Sequence, residues 1–177
     1  RPCPRARAEV ARRLLAWAGI ILAVVAADQF TKWLAVDLLA GRPVNLIPGF
    51  ADLVLVYNKG AAFSLLSDHA HGRWILVGLN CAALAVAGWL VARGSSGRRR
   101  GMRLCISLIS GGAVGNLIDR LRLGQVVDFV YLHVGDYYWP AFNLADAAIS
   151  LGGVVLAVLL WRQADSEPTK SGVKPRN

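Results

Sequence analysis

Two carboxylates in this sequence stand among largely apolar neighbours without an obvious local cation: Asp128 in Val126-Val-Asp-Phe-Val130, and Asp146 in Phe142-Asn-Leu-Ala-Asp146. Two carboxyls that share one proton can hydrolyse a peptide bond without a metal or a covalent intermediate, one taking a proton from water while the other gives one to the carbonyl oxygen. Spacing alone leaves ordinary helix caps or loop acids as the alternative. Further polar residues interrupt apolar runs. Asp28 and Lys32 are four apart and share a helical face, either as a structural ion pair or, for Asp28, as a carboxylate that orients site residues. Asn116, Asp119 and Arg120 fall at i, i+3 and i+4, one polar face whose Asp and Arg can neutralise each other, and which supports a site rather than performing the chemistry. Other chemistries have less to stand on. His69 and His71 alternate while His133 is distant, so a metal lacks a third ligand. Ser64 has no adjacent base, and Cys81 and Cys105 lie in apolar runs where buried, unreactive thiols are expected. The glycines form no phosphate-cradling loop of the Walker type. Neither a metal nor a cofactor is expected.

The elements that must position these groups are membrane helices. Of the 177 residues 55% are hydrophobic and the mean hydropathy is +0.45, too apolar for an ordinary soluble domain. Four runs, roughly 14–36, 74–91, 104–121 and 141–161, are long enough to cross a hydrocarbon core of about 30 Å as helices. The expected fold is therefore an all-α polytopic membrane protein with four transmembrane helices and a small extracytoplasmic β-containing flap. Residues 1–163 would form one membrane-embedded domain, opening on a short basic tail, and 164–177 a disordered cytoplasmic tail. The β element is expected at Phe50 to Tyr57, a β-branched and aromatic run between Pro48-Gly49 and Lys59-Gly60.

Four spans place both termini and the middle connection on one side. Arg1, Arg5, Arg7, Arg12 and Arg13, then Arg93, Arg98, Arg99, Arg100 and Arg103, then Arg162, Lys170, Lys174 and Arg176 all fall there, which marks that side as cytoplasmic. The net charge of +9 thus belongs beside lipid headgroups, and nucleic acid is not an expected partner. Only Glu9, Asp165 and Glu167 among the eleven acids share the basic side, so the chemistry is expected at the extracytoplasmic face. A small ion- or proton-coupled transporter is the competing reading, but such sites usually lie near the midplane between inverted repeats, and no repeat is evident.

In order and approximate spacing, Asp28-Gln-Phe-Thr-Lys32, Asn58-Lys-Gly-Ala-Ala-Phe63-Ser, Gly111-Gly-Ala-Val-Gly-Asn116-Leu-Ile-Asp119-Arg120, Val127-Asp128-Phe129 and Phe142-Asn143-Leu-Ala-Asp146 resemble the successive motifs of lipoprotein signal peptidases. The resemblance runs from about Ala27 to Ser150. It implies an aspartic endopeptidase with Asp128 and Asp146 as catalytic dyad. The supporting residues would be Asp28, Lys32, Asn58, Gly60, Phe63, Asn116, Asp119, Arg120 and Asn143. It also implies the substrate, a bacterial prolipoprotein cut on the N-terminal side of a diacylglyceryl-modified cysteine, with membrane lipids as surroundings and globomycin-type cyclic peptides as inhibitors. Apart from the resemblance, the segment from about Asn45 to His71 is expected to be a movable flap over the bound peptide, with Gly60 permitting its turn and Asn58 and Phe63 approaching the dyad.

Overall fold

A computed structural model describes residues 4–60, 71–93 and 100–165. Helices α1 (Pro4–Leu39), α2 (Gly72–Arg93), α3 (Arg100–Leu123) and α4 (Leu144–Asp165) are each long and apolar enough to cross a membrane. The strands β1 (Val44–Ile47), β2 (Ala51–Asn58), β3 (Val126–Val134) and β4 (Tyr137–Tyr138) form one antiparallel sheet in the order β1-β2-β3-β4. The protein is thus mostly helical with a small sheet at one end of the bundle.

α3 is the central helix and packs against the other three. Its sequence explains this position: Gly111, Gly112 and Gly115 are all buried and leave room for neighbouring backbones. A Cβ at Gly111 would lie 2.7 Å from Cβ of Val24 on α1, and one at Gly115 would lie 2.5 Å from the Asp28 carboxylate. The small-residue stripe has a second side, because a Cβ at Gly112 would collide with the Ala145 carbonyl oxygen of α4. By contrast α1, α2 and α4 keep Leu22, Leu79, Val86, Trp89, Leu151 and Val154 exposed. That is the pattern of helices whose outer faces meet lipid rather than water.

Several boundaries differ from those expected. The basic stretch before residue 14 continues α1 instead of forming a separate tail, since alanine and arginine are strong helix formers with no glycine to stop them. At the other end α4 continues through Asp165, and residues 166–177 lie outside the described residues. α4 begins at Leu144 rather than Ala141, because Phe142 is held in an extended bridge to Val130 of β3. The Phe50 to Tyr57 strand is present as β2. Its main partner is β3, which contains Asp128 and lies outside the run expected to be a strand.

Gly124 makes that partner possible. It accepts a left-handed φ of +76° just after α3, and its N–H donates to the Arg120 carbonyl at 3.2 Å. The chain therefore leaves α3 in a tight turn and runs back along β2, with Val56 opposite Asp128 and Asn58 opposite Val126. β1 pairs only with residues 51–53 of β2.

Candidate active site

Asn143 organises the start of α4 and the polar centre beside it. Its side-chain oxygen accepts the Asp146 N–H at 3.0 Å, while its own N–H donates to Asp146 Oδ2 at 3.2 Å. This is a reciprocal capping box, in which residues three apart satisfy each other's orphan donors at a helix N-terminus. With Oδ1 committed to the cap, the Asn143 amide nitrogen faces the other way and donates to Asp128 Oδ1 at 2.7 Å. One residue thus touches both carboxyls.

The remaining partners come from each packed element. Asn58 at the end of β2 donates to Asp128 Oδ2 at 3.1 Å, its own oxygen held by the Gly60 N–H at 2.9 Å. Asn116 of α3 donates to Asp146 Oδ1 at 2.8 Å. Behind Asn116, the Lys32 ammonium contacts Asn116 Oδ1 at 3.0 Å, Asp28 Oδ2 at 2.9 Å and Asp119 Oδ2 at 2.8 Å. Asp28 closes the circle by accepting the Ala145 N–H at 2.9 Å in the first turn of α4. Asp28 and Asp128 are 0% and 2% exposed, a depth at which an ionic group requires several partners.

Asp119 and Arg120 lie within electrostatic reach of each other but are not in direct contact, because consecutive helical residues point about 100° apart. Asp119 pairs with Lys32 instead and accepts the Val127 N–H at 3.2 Å, while the Arg120 guanidinium donates to the Gly60 carbonyl at 3.1 Å. The Asp28–Lys32 pair extends to Asp119 on α3 and through Asn116 to Asp146. Asp128 lies on β3, outside the spanning helices, and burial pushes its carboxyl up to about 6, a rise that Asp146 reinforces and that Asn58, Asn143 and Lys32 only partly offset.

Asp28, Lys32, Asn58, Gly60, Asn116, Asp119, Arg120, Asp128, Asn143 and Asp146 therefore converge in one network. Phe63 lies outside the described residues, as do Ser64 and His69 and the rest of 61–70 in the connection expected to close over a substrate. His133 sits elsewhere, on the sheet, 3.1 Å from Asp52 and stacked on Tyr138. Cys105 is buried as expected, whereas Cys81 is exposed on the lipid-facing side of α2. Gln29 belongs to the network although the spacing argument passed over it, donating to Asp119 Oδ1 at 2.9 Å and to the Gly115 carbonyl at 3.3 Å. A polar amide between Asp28 and Phe30 inside an apolar run was the available signal.

Four apolar helices enclosing a buried, fully partnered cluster of carboxylates at their sheet end define an integral-membrane enzyme scaffold. Residues 20–162 match the family model described as Signal peptidase (SPase) II. Among relatives named lipoprotein signal peptidase, the Azoarcus sp. (strain BH72) protein is 45% identical over 152 residues, 85% of this chain and 83% of its own. The Cupriavidus necator protein is 45% identical over 163 residues, 89% of this chain and 90% of its own. In three dimensions the chain is similar to a bacterial membrane enzyme solved by the in meso method at 2.3 Å. The TM-score is 0.77 at 28% identity, covering 88% of this chain and 93% of that one. A second such enzyme, solved at 1.9 Å, gives a TM-score of 0.71 at 29% identity, covering 82% and 92%. The chain belongs to the signal peptidase II family and is a membrane peptidase.

Proposed function

We propose that the chain is an aspartic endopeptidase that removes the signal peptide from diacylglyceryl-modified prolipoproteins, cutting on the N-terminal side of the lipidated cysteine. Relatives of similar length that carry the name lipoprotein signal peptidase support the substrate class. The observation that carries the mechanism is the bridging of Asp128 and Asp146 by one residue, Asn143, inside a closed polar network. Two carboxyls so coupled cannot both ionise freely, which suits them to hold one proton between them.

Hydrolysis then balances without a further reagent. One ionised carboxylate takes a proton from water as the water oxygen attacks the scissile carbonyl carbon, and the protonated carboxyl gives its proton to the carbonyl oxygen. On collapse of the tetrahedral diol, the first carboxyl delivers its proton to the leaving nitrogen as the C–N bond breaks. The second recovers a proton from the diol, and the dyad returns to its starting state. Asp28, Lys32, Asn58, Gly60, Phe63, Asn116, Asp119, Arg120 and Asn143 hold the pair and the substrate. The segment from about 45 to 71 closes over the extended peptide and shields it from water.

The positive-inside distribution of Arg and Lys supports an orientation with both termini cytoplasmic and the dyad at the extracytoplasmic face of the cytoplasmic membrane. There the peptide end of a signal sequence meets the dyad while the lipid chains of the substrate stay among membrane lipids. Globomycin-type cyclic peptides, as extended-peptide mimics, are expected to occupy the same cleft. The test is incubation of the purified chain in detergent with lipidated precursor. Asp128→Asn and Asp146→Asn should each lower turnover by about a thousandfold or more, with unchanged membrane insertion. Near-normal turnover by either variant overturns the dyad assignment.

A further inference from the structure

The two carboxyls of the dyad are not equivalent, and the difference traces back to a lysine that lies behind Asn116. Lys32 carries three donor hydrogens and has three acceptors: Asp28 Oδ2, Asp119 Oδ2 and Asn116 Oδ1. An ammonium has no acceptor, so the Asn116 atom facing it must be the oxygen. The Asn116 NH2 is then compelled to point away from Lys32, and the atom it meets is Asp146 Oδ1 at 2.8 Å.

The other oxygen of Asp146 receives a backbone N–H in the first turn of α4, where the aligned peptide dipoles favour a negative charge. Both Asp146 oxygens therefore face committed donors, one of them polarised by a cation. Asp128 has a different environment. Its donors are the neutral side-chain amides of Asn58 and Asn143, it is 2% exposed, and it accepts no backbone N–H among the hydrogen bonds of the described residues. The charges around the pair are Asp28 and Lys32 on α1 and Asp119 and Arg120 on α3. Arg120 lies within electrostatic range of Asp119, Asp128 and Asp146 alike. It does not distinguish the two carboxyls by contact, because its hydrogen bonds go to backbone carbonyls.

We propose that Lys32 is a positioning residue of the dyad, which acts through the amide orientation of Asn116 to make Asp146 the ionised member that accepts the water proton and to leave the shared proton on Asp128. This rests on the aspartic reading given above and assigns the roles within it. Asp28 and Asp119 hold Lys32 in place and balance its charge, so the cation is available to Asn116 without being drawn into the substrate cleft. The elevated carboxyl of Asp128 is consistent with the same division.

The test separates this role from a purely structural ion pair. Removing Lys32 alone would strand two buried carboxylates, so the informative variant is Lys32→Met combined with Asp119→Asn, which leaves the net charge of the cluster unchanged. It is compared with Asp119→Asn alone, each as the full chain purified in detergent and assayed on a synthetic diacylglyceryl-cysteine peptide. The double variant should lose about 10- to 100-fold in kcat with KM within about twofold. The acid limb of its pH profile should move to higher pH than that of Asp119→Asn. Asn116→Asp keeps the acceptor for Lys32 but removes the donor to Asp146 and should move the same limb in the same direction. If a folded double variant keeps the acid limb of Asp119→Asn, Lys32 has no positioning role. If the double variant does not fold, an unmoved limb in Asn116→Asp overturns the proposal equally. Turnover surviving in Asp128→Asn or Asp146→Asn would sink the dyad reading itself, a separate and distinguishable failure.

Discussion

Asp128 illustrates how one side chain can be costly to the fold and, on the proposed mechanism, useful to the reaction. Its ordinary carboxyl value of 3.8 is raised to about 6 by burial, so the folded state favours the neutral acid while the unfolded chain ionises near the lower value. The sign follows directly: the unfolded state releases its proton first, and the folded state loses stability as pH climbs from about 4 to about 6. Above that window the shift amounts to roughly 3 kcal/mol. Asp128→Asn, which cannot ionise, should therefore be more heat-stable relative to the parent at about pH 8 than at about pH 5, although it is expected to be inactive. Thermal unfolding in detergent at the two pH values checks this, and a pH-independent difference would show that the carboxyl is not perturbed. At this scale the sequence was informative about identity and poor about partners. Asp28, Lys32, Asn116, Asp119, Asp128 and Asp146 stand out because ionisable and amide groups are costly in apolar runs. Which charge meets which depends on helix packing, and so Asp119 pairs with Lys32 across two helices rather than with its chain neighbour Arg120.

Among the elements, α3 carries the tightest constraint. A Cβ at Gly115 would press on the Asp28 carboxylate at 2.5 Å, so Gly115→Ala should cost about 1–3 kcal/mol in overpacking. Because Asp28 also holds Lys32 and the start of α4, activity should fall further than stability does. Gly78, with nothing within 4 Å of its added Cβ, is the control, and Gly78→Ala should leave both turnover and melting near the parent. Equal behaviour of the two variants would count against the close contact of α1 with α3. Asn143→Ala removes the side-chain cap of α4, worth about 1 kcal/mol, and the amide donated to Asp128, while the backbone N–H at position 143 still reaches Asp146 Oδ2. A melting point lowered modestly with turnover nearly abolished is the expected pattern. The four helices were legible from length and hydropathy, and the small-residue stripe from its spacing. The second strand of the sheet was not. Val126 to Val134 follows a helix whose apolar run blends into it, and only the turn at Gly124 and the pairing with β2 make it a strand.

For the whole molecule, the uneven distribution of charge is the basis of the proposed orientation. A single cysteine at Arg100, on a background without Cys3, Cys81 and Cys105, should resist an impermeant thiol reagent in intact cells, while one at Asp136 between β3 and β4 should react. The reverse labelling would place the dyad on the cytoplasmic side and contradict the proposed route of the substrate. Both positions lie in described elements or turns, and Asp136 is exposed.

The capping box at the start of α4 has a consequence for the life of the chain before it is an enzyme. Asp28 and Lys32 emerge from the ribosome early, Asp128 later, and Asn143 with Asp146 last of all. Until α4 is threaded into the bilayer, Asp28 lacks the Ala145 amide and Asp128 lacks the Asn143 donor, and the proposed pair is incomplete. On the proposed mechanism, a half-inserted nascent chain would therefore be catalytically silent. Proteolytic competence would, on the same mechanism, arrive with the docking of the final helix.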